Sequence, residues 1–192
     1  MLSSPEDSMM KMFVPKELFL TKGVGRHKEK LASFEAALRN ADIAEYNLVR
    51  VSSIFPPKCR IIPKEKGIKK LYHGQILFVV LADIGTNEPN RLIASSVGVA
   101  VPSDKNTFGY LSEYHGYGVK EQVAGDYAED LAAQMLASTL GISYDEKVHY
   151  DARKDLWKIN KETFQTRNIT QTATGHKDGL WTTVISAAVL IF

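Results

Sequence analysis

The 192-residue sequence predicts an α+β fold, rich in strands that follow one another without intervening helices. Three observations predict it. Alternating or unbroken apolar segments of strand length recur along the chain, while only two stretches carry a helical period. No internal repeat or shift in composition marks a second domain, so one domain is expected over residues 13–192. A content of 44% hydrophobic and 24% charged residues is that of an ordinary globular protein. A chain of this size buries roughly 70% of its unfolded surface and needs no disulfide or metal for stability.

Residues 1–12 are polar, Met-rich and patternless, and are expected to be a disordered tail. Phe13–Thr21 alternates loosely as a first strand, with Pro15 near its start as an edge tolerates. Lys22–Lys30 reads as a turn-rich loop. Its G-V-G lacks the third glycine of a dinucleotide loop, because Lys28 stands there. Ser33 is placed to cap a helix over Phe34–Ala41, with Glu35 in its first turn and Phe34 and Leu38 on one face. Asn47–Val51 alternates as a half-buried strand. It runs into Ser52-Ser53-Ile54-Phe55-Pro56-Pro57, where two prolines end it abruptly.

Further strands are expected at Arg60–Ile62, Gln75–Ala82, Leu92–Val101 and Phe108–Tyr114. The run QILFVVLA is unbroken and should be covered on both faces. Ala94, Ser95, Ser96, Gly98 and Ala100 make the next strand small enough for another layer to approach closely. A long helix follows. Val119, Val123, Tyr127, Leu131 and Met135 recur every four residues, with Ala124, Ala128, Ala132 and Leu136 beside them, until Gly141 ends it. Phe164–Thr174 and Thr182–Phe192 read as closing strands. Tyr144–Thr163 carries no readable role.

Charge narrows the function classes. Twenty-four basic residues oppose 22 acidic ones, and residues 1–52 hold 8 and 7 of them. Such an even balance describes a solvated mixed-charge surface and argues against nucleic acid as a partner. The single cysteine, Cys59, rules out an internal disulfide framework and any multi-thiolate zinc site. It is either a small packed side chain or a reactive thiol. The first residues lack the basic and apolar regions of a secretory signal, and the longest apolar run, Val184–Phe192, is too short to span a membrane. A cytoplasmic protein without a membrane partner is expected.

Familiar catalytic signatures are absent: there is no G-x-S-x-G elbow, Walker loop or H-E-x-x-H. His27, His73, His115, His149 and His176 are too scattered to suggest a metal site. One segment carries a chemical possibility, Asn47-Leu-Val-Arg-Val-Ser52-Ser53-Ile-Phe-Pro-Pro57. A serine hydroxyl can attack the carbonyl of the residue before it and convert the peptide into an ester. That requires a well-positioned peptide and a donor for the developing oxyanion. A Ser-Ser pair at the end of a strand, with an amide side chain five residues upstream, supplies those parts. The same residues also make an ordinary polar turn.

The run NLVRVSSIFPP resembles the self-cleavage segment of the pyruvoyl-dependent arginine decarboxylases. Two more pieces match in order: Phe34-Glu-Ala-Ala-Leu-Arg-Asn-Ala41 and Gly109-Tyr-Leu-Ser-Glu-Tyr-His-Gly116. The strand ending Val99-Ala-Val-Pro102 and the alanine-rich C-terminal strand fit as well, so the resemblance covers most of residues 13–192. It implies a four-layer αββα sandwich, oligomeric as a trimer or dimer of trimers with sites at subunit interfaces.

The resemblance also implies a mechanism. Ser53 attacks the carbonyl of Ser52, the ester undergoes β-elimination, and hydrolysis leaves residues 1–52 and a chain 53–192 headed by a pyruvoyl group. That cofactor forms a Schiff base with L-arginine and accepts the electrons released with CO2, giving agmatine on the way to polyamines. Asn47 is implied to steady the tetrahedral intermediate, and Glu113 to protonate the substrate α-carbon. Glu35 stands where such enzymes usually carry an Asp that binds the guanidinium; it is equally a carboxylate favoured by the helix dipole. Leu38, Ile54 and Tyr114 are expected to line the substrate site. The alternatives are a decarboxylase of another cationic amino acid, such as lysine or ornithine, and an oligomeric binding or scaffold relative that does not cut itself.

Overall fold

The computed structural model describes residues 13–141, 156–159 and 162–192. Ten strands and three helices are described among them. In chain order they are β1 (Glu17–His27), α1 (Lys30–Asn40), β2 (Asn47–Arg50), β3 (Ile54–Phe55), β4 (Arg60–Ile61), α2 (Lys64–Ile68) and β5 (Ile76–Thr86). Then follow β6 (Leu92–Pro102), β7 (Gly109–Tyr117), α3 (Glu121–Thr139), β8 (Leu156–Ile159), β9 (Glu162–Thr174) and β10 (Trp181–Ile191). The strands form two five-stranded sheets, ordered β2-β5-β10-β1-β4 and β3-β7-β6-β9-β8. The fold is mixed α+β in a single compact domain. The expected tail before Phe13 lies outside the described residues, as do His149 and most of Tyr144–Thr163. Within that segment β8 pairs antiparallel with β9 and adds an edge to the second sheet.

Among the described residues three larger apolar cores stack in succession, with a smaller cluster of Ile84, Ile93 and Val184 between the sheets. Phe19, Ala37, Ile43, Leu77, Val79 and Ile185 fill the space between α1 and the first sheet. Leu18, Val80, Val97, Val99, Leu111 and Leu190 lie between the two sheets. Ala100, Ala132, Ala133, Leu136 and Phe164 pack α3 onto the second sheet. Alternate residues of β5 thus enter different cores, Leu77, Val79 and Leu81 one and Val80 and Ala82 another, as the unbroken apolar run predicts. Cys59 packs beside the inter-sheet core, and burial pushes its thiol up to about 12, far from reactive.

Small residues set the closeness of the layers. A Cβ on Gly98 would stand 2.1 Å from the Ala128 carbonyl oxygen of α3. On the other face of β6, the hydroxyl of Ser186 donates to the Ser95 carbonyl at 2.9 Å, joining the sheets across their interface. The small-residue strand does admit a layer on each side.

Three sequence expectations are corrected. Lys22–His27 is not a loop but the second half of β1, paired with β10 to its end. Its glycines serve packing: a Cβ on Gly23 would lie 2.2 Å from the Ala37 carbonyl oxygen, and one on Gly25 2.1 Å from that of Ser33. The helix over 34–41 begins earlier, at Lys30, with Glu29 as its extended cap residue. Ser33 is therefore inside the helix, buried, bonding the Lys30 carbonyl and the Thr183 hydroxyl, each at 2.7 Å. Glu35 consequently lies beyond the first turn, where the dipole is weak. In α3 the buried side is the alanine side, Ala124, Ala128, Ala132 and Leu136, because helix and sheet approach too closely for larger groups. Val123 and Tyr127 of the large apolar row stay 58% and 54% exposed. Gly141 ends the helix in the left-handed region at φ 69°.

The tight seat of α1 gives a direct check. Gly25→Ala forces its methyl into the helix backbone and is expected to cost about 1–3 kcal/mol, read as a lower urea midpoint with an unchanged slope.

Candidate active site

The Ser52–Ser53 bond sits where the chain changes sheets. Upstream, β2 pairs parallel with β5 on the edge of the first sheet, and the Val51 amide donates to the Val79 carbonyl at 3.0 Å. Downstream, β3 pairs antiparallel with β7 on the edge of the second sheet, and the Leu111 amide donates to the Ser53 carbonyl at 2.7 Å. Between these anchors the chain makes one tight turn, in which the Ile54 amide donates to the Ser52 carbonyl at 3.0 Å. Pro56 and Pro57 then stop β3 after two residues. Ser52 is exposed, Ser53 half-buried and Phe55 buried.

Beside the turn lies an open, mainly apolar groove of about 450 Å3. Val51, Ser52, Ile54 and Phe78 line its inner wall, and Phe13 and Phe192 its rim. Ile54 is one of the residues that line this groove.

Glu113 lies two residues along β7 from Leu111, the residue whose amide holds Ser53. Side chains alternate along a strand, so Glu113 and His115 share the face on which Leu111 enters the inter-sheet core. Glu113 is exposed in the single chain, yet partial desolvation by the surrounding protein raises its carboxyl above the usual range; nearby Arg50 and His115 oppose that shift and Asp83 adds to it. Arg50 is held by Asp83 at 2.5 Å and by the Leu81 carbonyl at 3.3 Å. The sequence reading missed this pair. Its signal was Asp83, the charge that ends the apolar run of β5.

Other expected residues are not gathered at Ser53 within one chain. Asn47 begins β2, about 13 Å of strand from Val51, and its side-chain amide donates to the Gly74 carbonyl at 2.8 Å. Tyr114 takes the opposite face of β7 from Glu113 and packs on Tyr127 of α3, ring centres 5.0 Å apart. Leu38 packs against the core under α1. Glu35 grips Arg39 with both oxygens, at 2.6 and 2.5 Å, in a groove that shares no lining residue with the one at Ser52. Among the described residues no three His, Cys, Asp or Glu side chains converge as a metal cage.

Comparison with known proteins places the chain. A family described as pyruvoyl-dependent arginine decarboxylase matches residues 17–192. A protein of Chloroherpeton thalassium named probable pyruvoyl-dependent arginine decarboxylase is 57% identical over 179 residues, covering 93% of this chain and 98% of its own. One of Nitrosopumilus maritimus, named pyruvoyl-dependent arginine decarboxylase, is 54% identical over 178 residues, with 93% and 97% covered. A third, pyruvoyl-dependent arginine decarboxylase 2 of Methanosarcina mazei, is 51% identical over 178 residues, with the same coverage.

The electrostatics at Glu113 are open to titration. Arg50 stabilises the ionised carboxylate, so Arg50→Gln should move the Glu113 midpoint to still higher pH in a 13C-carboxyl NMR titration. An unmoved midpoint would show that Arg50 is not felt there.

Proposed function

This chain belongs to the pyruvoyl-dependent arginine decarboxylases, and we propose that it cuts its own backbone between Ser52 and Ser53, turns Ser53 into a covalent pyruvoyl group and decarboxylates L-arginine to agmatine and CO2. The observation that carries this reading is the placing of that one peptide bond at the crossover between two sheets, anchored on each side and open to the groove. Ser53 fits the role of cofactor precursor, since its carbonyl is fixed on β7 and Glu113 projects from the same strand two residues further on. The pyruvoyl group supplies a carbonyl that takes up the substrate amine and the electrons left behind by CO2.

The chain's own residues bind, orient and move protons. Glu113 keeps its proton to higher pH than an ordinary glutamate, which suits a donor to the substrate α-carbon. Val51, Ile54 and Phe78 form an apolar wall beside Ser52. Glu35 already accepts parallel hydrogen bonds from Nε and Nη2 of the Arg39 guanidinium, the chemistry needed to hold the far end of arginine. Leu38, packed under α1, fixes the helix that carries it.

Asn47, Glu35 and Tyr114 stand away from Ser53 of their own chain, so we place them opposite Ser53 of a neighbouring copy. The assembly we propose is a trimer or a dimer of trimers of four-layer αββα domains in the cytoplasm. Apolar residues left open near the β2 edge support self-association, among them Val49 at 41%, Ile54 at 41% and Ile76 at 60% exposure. Among the described residues no helix is long and apolar enough to cross a membrane.

Denaturing intact-mass measurement should find chains 1–52 and 53–192, with only the larger taking up a carbonyl-reactive hydrazine. A single hydrazine-inert chain would contradict the reading, as would turnover of ornithine but not arginine. Ser53→Ala should abolish both cleavage and decarboxylation. Glu113→Gln should lower kcat per cleaved chain by about 10²- to 10⁴-fold, and in the parent enzyme kcat should fall as pH rises through the raised Glu113 midpoint.

A further inference from the structure

We propose that the backbone amide of Ile54 is a catalytic donor in the self-cleavage, holding the negative charge that develops on the Ser52 carbonyl oxygen. The inference rests on the reading of Ser52–Ser53 as the cleavage site. The Ile54 amide reaches back to the Ser52 oxygen at 3.0 Å and closes a three-residue turn centred on Ser53. Ser53 is not among the residues in the left-handed region, so the turn is of the inverse type common at strand ends. Isolated turns of this kind open easily. Here both flanks are fixed, by the Val51 amide on Val79 at 3.0 Å and by the Leu111 amide on the Ser53 carbonyl at 2.7 Å. Buried Phe55, paired with Gly109, prevents the downstream flank from sliding.

The chemistry needs a donor at that atom. Ser53 Oγ adds to the Ser52 carbonyl carbon, closing a ring with the Cβ, Cα and N of Ser53 and placing a negative charge on the Ser52 oxygen. The C–N bond then breaks while the new C–O bond stays, and the hydroxyl proton ends on the Ser53 nitrogen. Peptide becomes ester and no further reactant is consumed. A donor fixed in place before the charge appears costs no reorganisation, and losing one typically slows such steps about 10²- to 10³-fold. Asn47 of the same chain has its amide on Gly74; in the proposed assembly a neighbour's Asn47 adds a second donor from the other side.

The test replaces the Ile54 amide by an ester, using the α-hydroxy acid analogue in the full-length chain. A matched chain carries the ester at Cys59, removing the hydrogen bond from its amide to the Pro56 carbonyl but none from the turn or its anchors. Cleavage is followed by intact mass as the fragment ending at Ser52, with and without hydroxylamine, which releases that fragment from any accumulated Ser53 ester and cuts the introduced backbone esters only at their own, mass-distinct positions. The Ile54 ester should cleave at least 100-fold more slowly, without rescue by hydroxylamine, and the Cys59 ester within about threefold of the parent. Parent-like cleavage of the Ile54 ester, equal slowing of both esters, or rescue by hydroxylamine would overturn the proposal. A parent chain that never cleaves would overturn the underlying reading instead. A second measurement does not depend on the esters folding: in the uncleaved Ser53→Ala chain the Ile54 amide should exchange with solvent at least tenfold more slowly than a free amide. Exchange at the free rate would also refute the role.

Discussion

The chain must pass from the edge of one sheet to the edge of the other between Val51 and Ile54, and the rest of the site depends on that crossing. β2 and β3 are both edge strands, so the link between them lies at the rim of the interface between the sheets, open to solvent. Hydrogen bonds from Val51 to Val79 and from Leu111 to Ser53 fix its two ends to different sheets. Only a tight turn fits between such anchors, and that turn folds the Ile54 amide back onto the Ser52 carbonyl around Ser53. The turn geometry at Ser52–Ser53 is thus a consequence of sheet topology rather than of a dedicated loop.

The same topology explains how a cut chain can remain one protein. Residues before the proposed cut supply β1, which lies inside the first sheet and pairs with β10 over its whole length. Glu17 is buried and bridged to Arg60 and Lys70, and these cations hold its carboxyl below the usual range. Arg50 meets Asp83, Lys64 meets Asp42, and Lys22 meets both Glu121 and the Thr170 carbonyl. Exposed ion pairs contribute little each. The shared sheet and the apolar cores hold the parts together, and the pairs fix register at the margins.

Much of this was legible in the sequence, for reasons that differ by residue. The Ser-Ser junction stood out because Pro56 and Pro57 cannot continue a strand, and the covered faces of β5 followed from its unbroken apolar run. Gly23 and Gly25 misled because glycine marks a turn as readily as a close helix contact; only the position of α1 decides between them. The α3 stripe misled because size, not hydrophobicity, selects what fits beneath a helix that close to a sheet. Asn47 and Glu35 could not be placed around Ser53 by spacing, since one chain does not bring them there. The Ile54 amide left no mark at all, because every residue except proline carries one.

A cut between two independently anchored segments of one folded unit leaves both pieces in that unit. Native mass spectrometry of the cleaved protein, compared with the same sample in denaturant, tests it most directly. The account predicts particles that contain equal numbers of chains 1–52 and 53–192 under native conditions and release them only on denaturation. A free 1–52 chain in the native spectrum would contradict it.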